Sequence, residues 1–239
     1  MHVIKSGPAP AGRPGTPEPV APGQLSLRVV TALEVASVLV SLLITVWVVV
    51  PLQPDHRWLA GVPVLLALAL MTHSHRLRGE TPAELGFTTA HFGRALRLLA
   101  LPALLSATVI LGVGYLTDSF HASSHFLTTV LFLPCWGIFQ QYVLQGFIYR
   151  RLKLVLAGER AAIFAAAAIF GLAHAPNLPL MGLTFAAGLV WSWVYERAPN
   201  LFALGLSHGL MSLLVMTSLP PWAVESLSVG YKYFLYQKF

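Results

Sequence analysis

The chain has 239 residues, of which 56% are hydrophobic and only 10% charged, with a mean hydropathy of +0.70; soluble domains carry about 25% charged residues. That balance excludes a soluble globular protein and makes this an integral membrane protein whose first partner is the lipid bilayer. The formal charge of +6 lies in the connections rather than in one patch, so nucleic acid is not an expected partner, and the single Cys135 excludes a disulfide framework.

Residues 1–24 interleave Pro8, Pro10, Pro14, Pro17, Pro19 and Pro22 with glycine and alanine, a composition expected to stay disordered. They lack the basic-then-apolar order of a signal peptide and are expected to remain cytoplasmic. The transmembrane bundle is expected over 25–221, with apolar runs at 25–50, 58–72, 94–116, 126–149, 161–175, 178–195 and 201–219. These make an all-α polytopic bundle of about seven spans, the second and fifth short for roughly 30 Å of hydrocarbon. Pro102, Pro134 and Pro176 fit if neighbouring helices meet the freed carbonyls.

Basic residues orient the bundle. Lys5, Arg13, Arg28, Arg76, Arg78, Arg94, Arg97, Arg150, Arg151, Lys153, Arg160 and Arg197 fall on one side, and Arg57, Lys232 and Lys238 on the other. A cytoplasmic N-terminus and an opposite C-terminus are expected, in the cell membrane on generic grounds. Residues 222–239 mix Trp222, Tyr231, Tyr233, Phe234 and Lys232, the composition of an interfacial segment, or a re-entrant one.

Within this apolar background, Gln140, Gln141 and Gln145 lie in the fourth run, His174 in the fifth and His208 in the seventh. Buried polar groups in a membrane cost free energy unless partnered and are functional-site candidates by default. Gln141 and Gln145 share a helix face, as do Phe170 with His174 and His208 with Ser212. At 1.5 Å per residue, Gln141 lies about 13 Å above Arg150, at a depth similar to that of His208, with His174 deeper.

In order and spacing, Gln140-Gln141 with Gln145, Phe170 with His174, and His208 with Ser212 resemble the three motifs of the CPBP family, the Abi or CAAX-protease-like intramembrane endopeptidases. Those motifs are a double glutamate with an arginine four residues on, Phe-x-x-x-His, and His-x-x-x-Asn or a relative. The resemblance covers 131–216. It implies an endopeptidase acting on a membrane-associated or lipid-modified peptide, in which the first glutamate and the second-motif histidine activate water while the third motif stabilises the oxyanion. By that correspondence His174, His208, Gln140 and Gln141 are the catalytic candidates, and Gln145, Phe170, Asn177 and Ser212 are supporting or substrate-binding.

Glutamine at 140 and 141 departs from the family pattern. An amide matches the shape of a protonated carboxyl but accepts no proton at physiological pH. His174 is left as the base, and glutamine at 145 avoids a buried guanidinium without a carboxylate partner. Two readings stay open: an endopeptidase working without its glutamate, or a proteolytically inactive member binding a membrane peptide or partner as a scaffold or immunity-type factor. A solute carrier would call for repeated broken helices, which the sequence does not display.

Plainer roles stand beside these. Transmembrane glutamines can act as interhelical glue worth about 0.6–2 kcal/mol, and His174 and His208 can be packing residues. Glu34 reads as a buried polar contact or interfacial residue, and Glu196 as a turn residue paired beside Arg197. His73, His75 and His91 read as interfacial rather than as a metal tract, and His121 and His125 have no motif support. His174 and His208 lack a convincing third ligand for zinc, so neither metal nor cofactor is expected.

Overall fold

The computed structural model describes residues 26–49, 58–121, 126–156, 158–224 and 227–236. The tail at 1–24, Arg57, His125 and Lys238 lie outside them. Every regular element among the described residues is helical. In chain order these are α1 (Leu27–Ile44), continued as a π-helical turn over Thr45–Val49, α2 (Gly61–Leu77), α3 (Phe92–Leu116), α4 (Phe126–Gln141), a π-helical segment (Tyr142–Tyr149), α5 (Arg150–Val155), α6 (Glu159–Leu172), α7 (Leu178–Arg197), α8 (Leu201–Ser218), and short α9 (Pro221–Val224) and α10 (Tyr231–Tyr236).

Among the described residues, six helical stretches are long and apolar enough to cross a bilayer: Leu27–Val49, Trp58–Leu77, Phe92–Leu116, Phe126–Val155, Leu178–Arg197 and Leu201–Ser218. The fifth apolar run forms α6, whose 14 residues reach only about 21 Å. It packs antiparallel on α7 as a hairpin: Arg197 at the end of α7 reaches Glu159 at the start of α6 at 3.4 Å, and Phe164 meets Phe185 edge-on at 5.5 Å. Residues 173–177 form the hairpin tip. The fourth run differs from a plain helix because the π-helical segment begins directly after Gln141; such wider turns are frequent at functional sites.

Asparagine side chains start the two site-bearing helices. Asn177 Oδ1 accepts from Leu180 N at 3.1 Å and caps α7, whose second residue, Pro179, needs no amide partner. Asn200 Oδ1 accepts from Ala203 N at 2.9 Å and caps α8, while its Nδ2 donates to Thr88 O and Ala90 O at 2.6 and 2.8 Å. That second pair fixes α8 to the loop before α3.

Large apolar side chains such as Leu65, Leu66, Leu101, Leu104, Leu105 and Val109 face outward, as lipid contact requires. Inside, α4 and α8 meet backbone to backbone. A methyl group on Gly209 would sit 2.8 Å from Pro134 N, and one on Gly205 would sit 2.6 Å from Ile138 N. Gly205 and Gly209 thus form a small-residue face that lets helices approach closely in a membrane, and Gly137 answers it from α4.

At the end of the bundle where α2 stops and α5 begins, charges are buried in a shared network. Arg151 has no exposed surface and donates through Nη1 and Nη2 to the two Glu80 oxygens at 3.0 and 2.6 Å, and through Nε to Ser74 Oγ at 3.1 Å. Arg150 adds two bonds to Glu80 Oε1 at 3.0 and 2.7 Å, and His75 Nδ1 donates to Glu80 Oε2 at 2.6 Å. Arg78 ties the network to α1 through Glu34 at 2.9 Å. Glu34 is therefore a half-buried ion-pair partner. His75 is held by this carboxylate, and Glu196 pairs with Lys153 at 2.6 Å and accepts from Tyr149 Oη at 2.6 Å.

Candidate active site

The close contact of α4 with α8 carries Gln141 against His208. Gln141 is fully buried, and its Nε2 lies 3.2 Å from His208 Nδ1. With the amide as oriented, Nε2 donates, so Nδ1 carries the lone pair and the ring proton sits on Nε2. His208 then presents a donor. Its ring is stacked on Trp191 of α7 at 4.5 Å and 20°, with Phe170 edge-on at 5.8 Å, so aromatic faces as well as the amide set its orientation.

His174 has the opposite tautomer. Its Nδ1 is 2.7 Å from Phe170 O, and a carbonyl can only accept, so Nδ1 carries the proton and Nε2 is left as an acceptor. Phe170 is thus both a carbonyl partner and a ring neighbour of His174, with centroids at 4.9 Å. One imidazole offers a proton acceptor and the other a proton donor. Both line a single cavity of about 320 Å³ together with Gln140, Ser212, Trp136 and Trp191, near the lower end of the size range of small-molecule pockets.

The remaining sequence candidates fall around this cavity in different ways. Gln145 is fully buried, and neither of its amide atoms has a hydrogen-bond partner among the described residues; Gln141 Oε1 is in the same state. A buried amide atom left without a partner costs about 1–3 kcal/mol. Asn177 is fully buried and saturated: besides capping α7 it donates to Val224 O at 2.7 Å and to Ser228 O at 3.2 Å. Asn177 itself is not among the cavity-lining residues, but Leu180, whose amide it caps, is. Among the described residues no three His, Cys, Asp or Glu side chains converge as metal ligands.

Sequence reading missed three contributors. Trp191 carries no motif signal, since an indole in an apolar span reads as lipid-facing or core. Gly205 and Gly209 flank His208 at the four-residue spacing of a close-packing face, a signal that was present in the sequence. The segment after α8, expected to be interfacial or re-entrant, packs on the hairpin tip and contributes to the site: Gly230 N donates to Ala175 O at 2.8 Å, and Leu227 and Val229 enter the cavity lining.

Neither the curated proteins nor the solved structures contain a match to this chain. A family model does match, described as Type II CAAX prenyl endopeptidase Rce1-like, over residues 121–214. That stretch holds Gln140, Gln141, Gln145, Phe170, His174, His208 and Ser212, the residues on which the CPBP resemblance was read. The match over 121–214 supports the CPBP resemblance, and in that segment the chain is similar to CAAX-protease-like intramembrane endopeptidases.

Proposed function

We propose that the protein is an intramembrane endopeptidase that hydrolyses a membrane-associated or lipid-modified peptide with a histidine pair in place of a glutamate–histidine pair. The observation that carries this reading is the pair of imidazoles lining one cavity: His174, whose Nδ1 donates to the Phe170 carbonyl and leaves Nε2 as an acceptor, and His208, whose Nδ1 lies against the Gln141 amide and, with Nε2 of that amide donating, leaves its own Nε2–H as a donor.

In this mechanism His174 Nε2 takes a proton from water as the water oxygen attacks the scissile carbonyl. The carbonyl oxygen becomes an oxyanion and accepts from His208 Nε2–H, a donor whose removal typically costs 10²–10³ in rate. Gln140, with a donor and an acceptor on one amide, orients the water. When the tetrahedral intermediate collapses, the His174 imidazolium returns its proton to the leaving amine. Loss of the carboxylate base lowers the rate by about 10²–10⁴ relative to a glutamate enzyme, so slow turnover is expected. The inactive-binder reading keeps one specific support, the absence of a carboxylate among the described residues of the cavity lining.

Detergent-purified protein should cleave a quenched, lipid-modified peptide slowly, His174→Ala and His208→Ala should each abolish that cleavage, and Gln140→Glu should raise it. Silent wild-type protein with an active Gln140→Glu variant would identify a binder with an intact pocket. Cleavage indifferent to both histidine substitutions would sink the mechanism.

A further inference from the structure

Close to His208 but outside the cavity lining, four buried polar atoms have no hydrogen-bond partner among the described residues: Gln141 Oε1, both amide atoms of Gln145, and Ser192 Oγ of α7. All three residues are without exposed surface. Two contacts place them together. Gln141 meets His208 at 3.2 Å, and His208 is stacked on Trp191 at 4.5 Å; nearer the charged end, Tyr149 meets Tyr195 edge-on at 6.1 Å. Residues 141–149 and 191–195 therefore run side by side in the same sense, with Gln145 between the two contacts on the first stretch and Ser192 on the second. Gln145 is four residues from both Gln141 and Tyr149, and Ser192 three from Tyr195, so each shares the face that makes the contact.

The protein groups around them are spent or apolar. Tyr149 Oη donates to Glu196, Tyr195 Oη to Leu85 O at 2.9 Å and Trp191 Nε1 to Ser207 Oγ at 3.3 Å, and the buried cluster holding those three rings is filled by aliphatic side chains such as Leu144, Leu201 and Leu204. Buried polar groups are met by protein or by ordered water, and at membrane depth no bulk solvent replaces either. The four atoms comprise two carbonyl acceptors, one amide donor and one hydroxyl that does both. Water fits that set: donating to Gln141 Oε1 and Gln145 Oε1 while accepting from Ser192 Oγ, one molecule makes three bonds, the usual complement of a buried water, and Gln145 Nε2 donates to a second.

We propose that Gln145 and Ser192 bind water in the protein interior beside His208, and that through this water they are positioning residues for Gln141 and so for His208. The Gln141 amide has Nε2 on the imidazole and Oε1 at its other end. Water on Oε1 holds the amide where Nε2 reaches Nδ1; without it Oε1 is buried and unsatisfied, and turning the amide away from His208 relieves that cost. The water site stands on packing alone, while its bearing on catalysis rests on reading His208 as the oxyanion donor.

The experiment is nuclear magnetic resonance on full-length protein in detergent, with isotope-labelled glutamine and histidine nitrogens. Wild type is compared with Gln145→Met, an apolar side chain of similar length, and with Gln141→Leu, which deletes the contact with His208; the His208 signals are those missing from His208→Ala. The Gln145 side-chain amide of wild type should show a cross-peak to water. Gln145→Met should move the His208 imidazole nitrogens toward their positions in Gln141→Leu and lower kcat about 10–10²-fold with KM unchanged, and Ser192→Ala should move the same signals in the same direction by less. If Gln145→Met does not fold, the wild-type cross-peak and Ser192→Ala decide. A Gln145 amide without a water cross-peak, or His208 signals that stay in place in the deciding variant, overturns the proposal. Neither readout needs turnover: a water cross-peak with shifted His208 signals in a protein that cleaves nothing leaves the water site standing while the endopeptidase reading falls, and cleavage with His208 unmoved does the reverse.

Discussion

Arg151 and Glu80 show how one residue pair can be read from both sides. Burial by itself would push the Glu80 carboxyl up, but hydrogen bonds from Arg151, His75 and Arg150 outweigh it and hold the group at about 2 against an ordinary 4.5. A carboxylate depressed in the folded state contributes stability that is complete above its unfolded pKa and lost as pH falls through the folded one. The network should therefore hold fully above about pH 4.5 and weaken progressively toward about pH 2. Glu80→Gln leaves a fully buried guanidinium without its carboxylate, a loss of about 3–5 kcal/mol. Thermal unfolding in detergent should place the variant well below wild type at pH 7, with the gap closing between pH 4.5 and 2. Equal melting at pH 7 would mean that the network holds nothing together. The sequence carried the signs of these charges but not their meeting: Glu34, Arg78 with Glu80, and Arg151 come from three separate stretches of chain, and only the packed bundle brings them within bonding distance.

At the scale of the element, the site depends on how closely α4 and α8 approach. Motif order was enough to pick out Gln140, His174, His208 and Ser212, and all four line the same cavity. What sets the 3.2 Å contact between Gln141 and His208 is the missing side chains at Gly137, Gly205 and Gly209. A methyl at 209 would sit 2.9 Å from Leu133 C and 2.8 Å from Pro134 N, both backbone atoms that no rotamer change can move. Gly209→Ala and Gly205→Ala should force the helices apart and break the amide–imidazole contact. A misplacement near 1 Å costs on the order of 10² in rate. Gly112→Ala in α3 and Gly182→Ala in α7 meet nothing within 4 Å and should be neutral or stabilising by about 0.4–1 kcal/mol. Melting temperature and peptide cleavage measured on all four variants separate the cases; loss of activity in the α3 and α7 controls as well would show that helix glycine, not helix approach, is at issue. The π-helical segment after Gln141 was not legible in the sequence. Its residues Tyr142–Tyr149 read as an ordinary apolar helix, and a change in turn width leaves no mark in hydropathy.

For the whole molecule, hydropathy located every long helix because each must satisfy its own backbone in lipid, but it could not say that the α6–α7 hairpin tip would be covered from above. Asn177 and Ala175 bond to the C-terminal segment, a pairing set by tertiary contact rather than by local propensity. The geometry does sort the connections into two ends. One end gathers Arg78, Glu80, Arg150, Arg151 and Asn200, since Asn200 reaches Thr88 and Arg150 reaches Glu80. The other gathers 117–121 and the end of α8, joined by Ser119 Oγ donating to Ser218 O at 2.7 Å. The first end is rich in arginine, while 117–121 contains neither lysine nor arginine. By the retention of positive charge in the cytoplasm, we propose that the first end is cytoplasmic and 117–121 faces the opposite compartment. Single cysteines placed at Gly79 and at Thr117, in a chain carrying Cys135→Ser, can be tested with a membrane-impermeant maleimide on intact cells and on inside-out vesicles. Thr117→Cys should label on intact cells, and Gly79→Cys only in inside-out vesicles. The reverse pattern would invert the bundle, place the Arg151 network outside, and put the cavity's hairpin tip on the cytoplasmic side, from which any substrate would then have to approach.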